Sequence, residues 1–194
     1  MIRCGFKTKQ REGEIGIVVA KSEEMVNLWV ESVAGCKVIG LDIEYRPNFK
    51  KGCPLNKTSL LQLSAGDCVV LIQLFQVKCI PDSLAKLLED PSITKAGVGI
   101  DEDVKKLLHD WKVPVRGAVD LSKLMQTKYL EPTYLSLAKL SLKLLDLDMH
   151  KRKKISISNW EKPQLTPDQI QYAALDAWVG SECFSVLDST AKST

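Results

Sequence analysis

Short apolar, β-branched runs alternate along the chain with stretches of helical period. Val38-Ile39-Gly40-Leu41-Asp42-Ile43-Glu44 is the first strong strand pattern. Residues 59–64 and 68–74 follow, joined by the turn Ala65-Gly66-Asp67, and predict an antiparallel hairpin. Further strands are predicted near Lys95–Val98 and, more weakly, Val113–Val119, with an edge strand over Gly16–Ala20.

Helix signals are clearer. Ser22 is placed to cap a helix reaching about Val33, and Asp82–Glu89 is a short one. Asp101 is expected to cap a helix whose Val104, Leu107, Leu108 and Trp111 recur at i, i+3, i+4 and i+7. Asp120 caps another, and Leu135–Leu145 reads as a leucine-rich buried helix. Thr166-Pro167-Asp168-Gln169 is the best start signal: a capping Thr, Pro at the first helical position and Gln at the third. Ile170, Ala173, Ala174, Ala177 and Phe184 form the expected buried stripe of that last helix. A three-strand meander, then helix, strand, helix, strand and helices argues for an α/β domain with a mixed sheet, helices covering it.

Composition narrows the class. With 194 residues, 45% hydrophobic and 26% charged, one domain with a real core is expected, its body at about 16–187 and a polar, frayed tail at 188–194. No run of about 18 apolar residues occurs, so no membrane span is expected. The first residues lack the apolar core of a signal peptide, which places the chain inside the cell, nuclear or cytoplasmic. A net charge of +3 permits a nucleic-acid partner if the charge is patchy, and does not demand one. The six cysteines form no CxxC pair and lie far from His109 and His150, which argues against structural zinc and for reduced thiols.

The chemistry is carried by acids. Asp42 and Glu44 alternate with Leu41 and Ile43, so they share one strand face. Buried unpaired carboxylates cost several kcal/mol each, which calls for cations or solvent; a strand ending at Leu41 with two solvated loop acids fits as well. Asp103 sits in a first helical turn, where the helix dipole alone favours acids, and Asp101 competes with it. Tyr172 and Asp176, four apart, share a helical face that is either a cleft wall or plain surface. Together the three segments could supply the oxygen ligands a two-metal phosphodiesterase needs.

The motifs Gly40-Leu41-Asp42-Ile43-Glu44-Tyr45, Lys95 to Leu107, Ser158-Asn159-Trp160 and Leu165 to Ala177 occur in order, with Thr58 to Leu63 matching the strand between the first two. In this the chain resembles the DEDDy branch of the DnaQ-like 3′–5′ exonucleases, closest to the Werner syndrome exonuclease domain family, with ribonuclease D further off. The resemblance covers about residues 16–187. It implies a ribonuclease H-like fold with a mixed five- to six-stranded sheet flanked by helices. It selects Asp103 over Asp101, since the family's acid lies four before Leu107. Tyr172 marks the branch, because the sister branch carries His at the position of Gln171. The implied roles are two divalent ions, magnesium or manganese, held by Asp42, Glu44, Asp103 and Asp176. Asp42 would bridge the two and Asp103 would act through water. Tyr172 would orient the attacking water, and the product would be a nucleoside 5′-monophosphate.

For substrate grip, Lys151-Arg152-Lys153-Lys154 is placed to track a phosphate backbone, though a solvated charge run reads the same way. Tyr45 is a candidate to stack on the terminal base, and Lys105 and Lys106 are weaker contacts. Close relatives carry an aromatic residue where Lys105 stands. No GxxxxGK[ST] loop occurs, so unwinding would need a helicase or other protein partner. The leading expectation is a DNA 3′–5′ exonuclease acting on a free 3′ end. An exoribonuclease trimming small or structured RNA and an inactive nucleic-acid-binding or scaffold module are the alternatives; the presence of all four acids and Tyr172 weighs against the last.

Overall fold

The computed structural model describes residues 1–50, 52–149 and 153–191. Its seven-stranded sheet is larger than expected: β1 (Ile2–Lys7), β2 (Glu12–Ala20), β3 (Val38–Glu44), β4 (Leu60–Ala65), β5 (Cys68–Gln73), β6 (Thr94–Gly97) and β7 (Ala118–Asp120) lie in the order β1-β2-β5-β4-β3-β6-β7. β3, β4 and β5 form the antiparallel meander, and β6 joins β3 in parallel. The expected edge strand is longer and lies inside the sheet. β1 pairs with β2 antiparallel and takes the edge, while β2 runs parallel to β5.

The helices are α1 (Glu23–Ser32), α2 (Leu74–Val77), α3 (Asp82–Glu89), α4 (Ile100–Trp111), α5 (Leu121–Lys128), α6 (Leu137–Leu145), α7 (Lys153–Ser156) and α8 (Pro167–Ala191). Ser22 and Asp120 cap α1 and α5 as read. Asp101 does not cap α4. The cap is Gly99, in the left-handed conformation at φ 76°, and Asp101 lies in the first turn. Only a residue without a Cβ adopts that turn freely. α8 also overruns its expected end, since 188–191 continue the helix rather than fray.

Strand alternation sends apolar side chains to both faces, and each face has its own core. Ile39, Leu41, Ile43, Leu61 and Leu63 pack with α1, α3 and α4 on one side. On the other, Leu60, Val69 and Leu71 pack with α5, α6 and α8. Gly40, Asp42 and Glu44 therefore face α8.

α8 lies directly on β3 and β4. Its start is held by a reciprocal pair: the Gln169 amide nitrogen donates to Thr166 Oγ1 (3.2 Å), and the Thr166 amide nitrogen donates to Gln169 Oε1 (3.0 Å). Further along, Ser64 Oγ donates to the Ala177 carbonyl (2.9 Å) and meets Ser181 Oγ at 2.9 Å. Small residues at the contact let helix and sheet backbones meet.

Candidate active site

Three carboxylates converge where β3 runs out beneath α8. Ligand oxygens of Asp42, Glu44 and Asp176 all lie within 4.8 Å of one another, and all three residues are half-buried. Two features of the fold bring them together. β3 and β4 stay paired through Glu44 opposite Leu60, so both β3 acids are carried on regular strand, which removes the loop alternative. α8 then sets Asp176 above them, since Ala177 rests on Gly40.

β6 pairs with β3 only over Val38–Gly40. The segment Leu41–Glu44 thus has a strand neighbour on the β4 side alone, and the chain leaving β6 turns at Gly99 into α4. The Gly99 amide donates to Asp120 Oδ2 (2.8 Å), which Tyr134 Oη also contacts at 2.9 Å. This turn sets the first helical turn of α4 at the open flank. Asp103 stands outside the tight trio, yet its charge acts on both Asp42 and Glu44. Asp101 turns away and pairs with Lys123.

Electrostatics follow from this crowding. Burial first, then the charges of Asp176, Asp103 and Glu44, holds Asp42 well above the usual carboxylate range. Glu44 is pushed up to about 9 by burial and then by Asp176 and Asp103. Asp103 rises to about 7, chiefly by burial and then through Asp120 and Glu102. The Tyr172 phenol is raised as well, by burial and then Asp176, Glu44 and Asp42, and it hydrogen-bonds Asp176. Its ring lies 6.1 Å from that of Trp160, which is fully buried. Ser158 and Asn159 both accept from Gln169 Nε2 (2.9 and 3.1 Å), tying the Ser-Asn-Trp segment to the start of α8.

The donor set fits a hard divalent cation. All three groups that could hold it offer carboxylate oxygens, with no sulfur or imidazole among them. Their mutual repulsion is what such an ion would relieve.

A cleft of about 200 Å³ adjoins Tyr172 and Asp176, walled by α8, by Leu147 and Met149, by Ile155 of α7, and by Gly5 and Phe6 of β1. Lys153 and Lys154 are exposed on α7, the helix that supplies Ile155 to the cleft wall, while Lys151 and Arg152 lie outside the described residues. Tyr45 is half-buried beside Glu44, and the Lys106 ammonium sits 4.5 Å from its ring centroid. Lys106 also reaches Asp110 (2.9 Å) and the Asn56 carbonyl (2.7 Å). Lys105 instead points outward to Glu102 at 2.7 Å. Sequence reasoning ranked these two lysines together; only the contacts separate them.

The 3′–5′ exonuclease family model matches residues 17–191. A 3′–5′ exonuclease of Arabidopsis thaliana is 36% identical over 79% of this chain and 54% of its own length. The bifunctional 3′–5′ exonuclease/ATP-dependent helicase WRN of Mus musculus is 36% identical over 74% of this chain and 10% of its own. The chain thus spans about half the length of the first relative and a tenth of the second. Among solved structures, Escherichia coli RNase D, an exoribonuclease involved in structured RNA processing, superposes with a TM-score of 0.76 over 91% of this chain and 46% of its own, at 21% identity. That likeness establishes a shared fold.

Proposed function

The chain belongs to the 3′–5′ exonuclease family, and from that footing we propose that it removes nucleotides one at a time from the 3′ end of a DNA strand, releasing nucleoside 5′-monophosphates. The observation that carries this reading is the trio Asp42, Glu44 and Asp176 within 4.8 Å. Asp42, Glu44 and Asp176 would hold one divalent ion, magnesium or manganese. Asp42 would be shared with a second, and Asp103 would contribute from the open flank. Such ions lower the pKa of water and stabilise charge on phosphoryl oxygens.

The remaining work falls to the chain's own groups. Tyr172, its phenol raised by burial and by Asp176, Glu44 and Asp42, would orient the attacking water through its hydroxyl. Asp176 holds the phenol in place. Tyr45 offers a ring beside Glu44 for the terminal base, steadied by Lys106. Lys153 and Lys154, with Lys151 and Arg152, supply cations for the backbone. Residues 16–187 act as one catalytic unit, and a helicase or other protein supplies any unwinding.

RNA is the second reading, and the fold shared with an exoribonuclease favours it. Labelled DNA and RNA strands incubated with magnesium, manganese or EDTA test both. Loss of mononucleotide release in EDTA and in Asp42→Ala is expected, and the DNA-to-RNA rate ratio chooses the substrate. Undiminished activity in that variant would overturn the reading.

A further inference from the structure

Gln62 on β4 is the register partner of Asp42 on β3. Directly paired residues of neighbouring strands send their side chains to the same face, with Cβ atoms about 4.5–5.5 Å apart. That face is the one α8 covers, as Ser64, two residues along the same strand, shows through its bond to the Ala177 carbonyl. Gln62 is therefore a side-by-side neighbour of a carboxylate in the acidic trio.

Its surroundings are otherwise unsuited to an amide. Gln62 is 0% exposed, and neither Nε2 nor Oε1 has a hydrogen-bond partner among the described residues. Its register partner on the other side is Leu71, and Leu60 precedes it on the same face, both fully buried. A buried polar group left unpaired costs about 1–3 kcal/mol, so an apolar residue of similar volume would suit this position better if packing were its only task. The polar neighbour across the ladder is Asp42.

We propose that Gln62 is a positioning residue for Asp42. When Asp42, Glu44 and Asp176 hold a divalent cation, Gln62 Nε2 donates to the Asp42 oxygen turned away from the ion. Carboxylate ligands are oriented by such bonds, and losing one typically weakens metal binding about 10–100-fold. The terminal torsion of Gln62 is broad, so the amide can turn between its two orientations at little cost. The inference rests on the metal-dependent reading above.

Calorimetric titration of the full chain with manganese, without nucleic acid, tests it on wild type, Gln62→Met and Asp42→Ala, with melting temperatures taken in EDTA. The expected result is saturable binding by wild type, none by Asp42→Ala, and about 10–100-fold weaker binding by Gln62→Met. In EDTA, Gln62→Met should melt no lower than wild type, since the substitution removes an unpaired amide and keeps the volume. Wild-type affinity in a folded Gln62→Met would overturn this inference and leave the exonuclease reading standing. Failure of wild type itself to bind would overturn that reading, and the inference with it. Should Gln62→Met not fold, the Gln62 side-chain amide resonances of wild type decide. They should shift on addition of magnesium, and unmoved resonances refute the contact.

Discussion

The carbonyl oxygen of Ala177 on α8 lies 1.8 Å from where a Cβ on Gly40 would sit. No side chain fits there, and the obstacle is backbone, which does not swing aside. The contact fixes the height of α8 above β3 and so the meeting of Asp176, one residue before, with Asp42, two residues after. Gly40→Ala is expected to lift the helix, costing about 3 kcal/mol or more, the upper end for overpacking. Urea denaturation reads the stability. Manganese affinity should fall with it, because the trio opens.

Asp176→Asn removes one of three crowded carboxylates. In EDTA the variant should melt at or above the wild-type temperature, since like-charge repulsion in the trio is relieved. Manganese should then add little stability, whereas wild type gains in proportion to ligand concentration over Kd. Equal stabilisation of both proteins by manganese would remove Asp176 from the ligand set.

Tyr172→Phe keeps the ring against Trp160 and loses the hydroxyl. A fall in kcat of about 10–100-fold with little change in KM is expected, a loss confined to the reacting complex. Burial and the neighbouring carboxylates hold the phenol above its ordinary value, which favours its protonated form. The pH–rate profile of the variant should therefore keep the wild-type shape at lower amplitude.

Lys105 and Lys106 are adjacent and should behave differently. Lys106 joins Tyr45, Asp110 and the Asn56 carbonyl, so Lys106→Met should destabilise by about 1–3 kcal/mol and raise KM. Among the described residues Lys105 pairs only with exposed Glu102, and Lys105→Ala should fall within about 0.5 kcal/mol of wild type. Chemical denaturation and steady-state kinetics of the two variants check this.

Lys95 gives a pH signature away from the site. Its side chain is buried and donates to the Asp90 carbonyl (2.6 Å), and burial lowers it to about 8 from 10.5. Between those values the unfolded chain holds a proton that the folded chain has lost, so this lysine makes stability rise with pH. The half-buried Cys36 thiol, raised from 9.0, works in the opposite sense above that pH. Lys95→Met cancels the first effect and, because the Lys95 charge draws the Cys36 thiol down, leaves that thiol higher still. The stability of wild type relative to the variant should therefore grow between about pH 8 and about pH 10.5 in denaturant titrations.

Local signals were legible and tertiary ones were not. The start of α8 was readable because Thr166, Pro167 and Gln169 act within one turn. The meander was readable because its strands follow one another and are apolar on both faces. β1 escaped notice: Ile2, Cys4 and Phe6 alternate with polar residues and Gly5, and what orders them is pairing with β2 and the contact of Phe6 with Trp178 at 4.3 Å. The cap of α4 was misassigned because Gly99 caps through backbone conformation and Asp120, far along the chain, holds its amide. Asp101 and Asp103 look alike in sequence, and Lys123 is what draws Asp101 away. Gln62 drew no notice in the sequence, because its importance depends on register with β3.

The trio draws on both ends of the fold. Asp42 and Glu44 come from the third strand and Asp176 from the last helix. At a synthesis rate of about 5–20 residues per second, the two early acids leave the ribosome several seconds before the residue that completes them. A nascent chain, or one cut short before α8, carries the strand acids without Asp176 or Tyr172. The cluster is thus assembled only once α8 has been made.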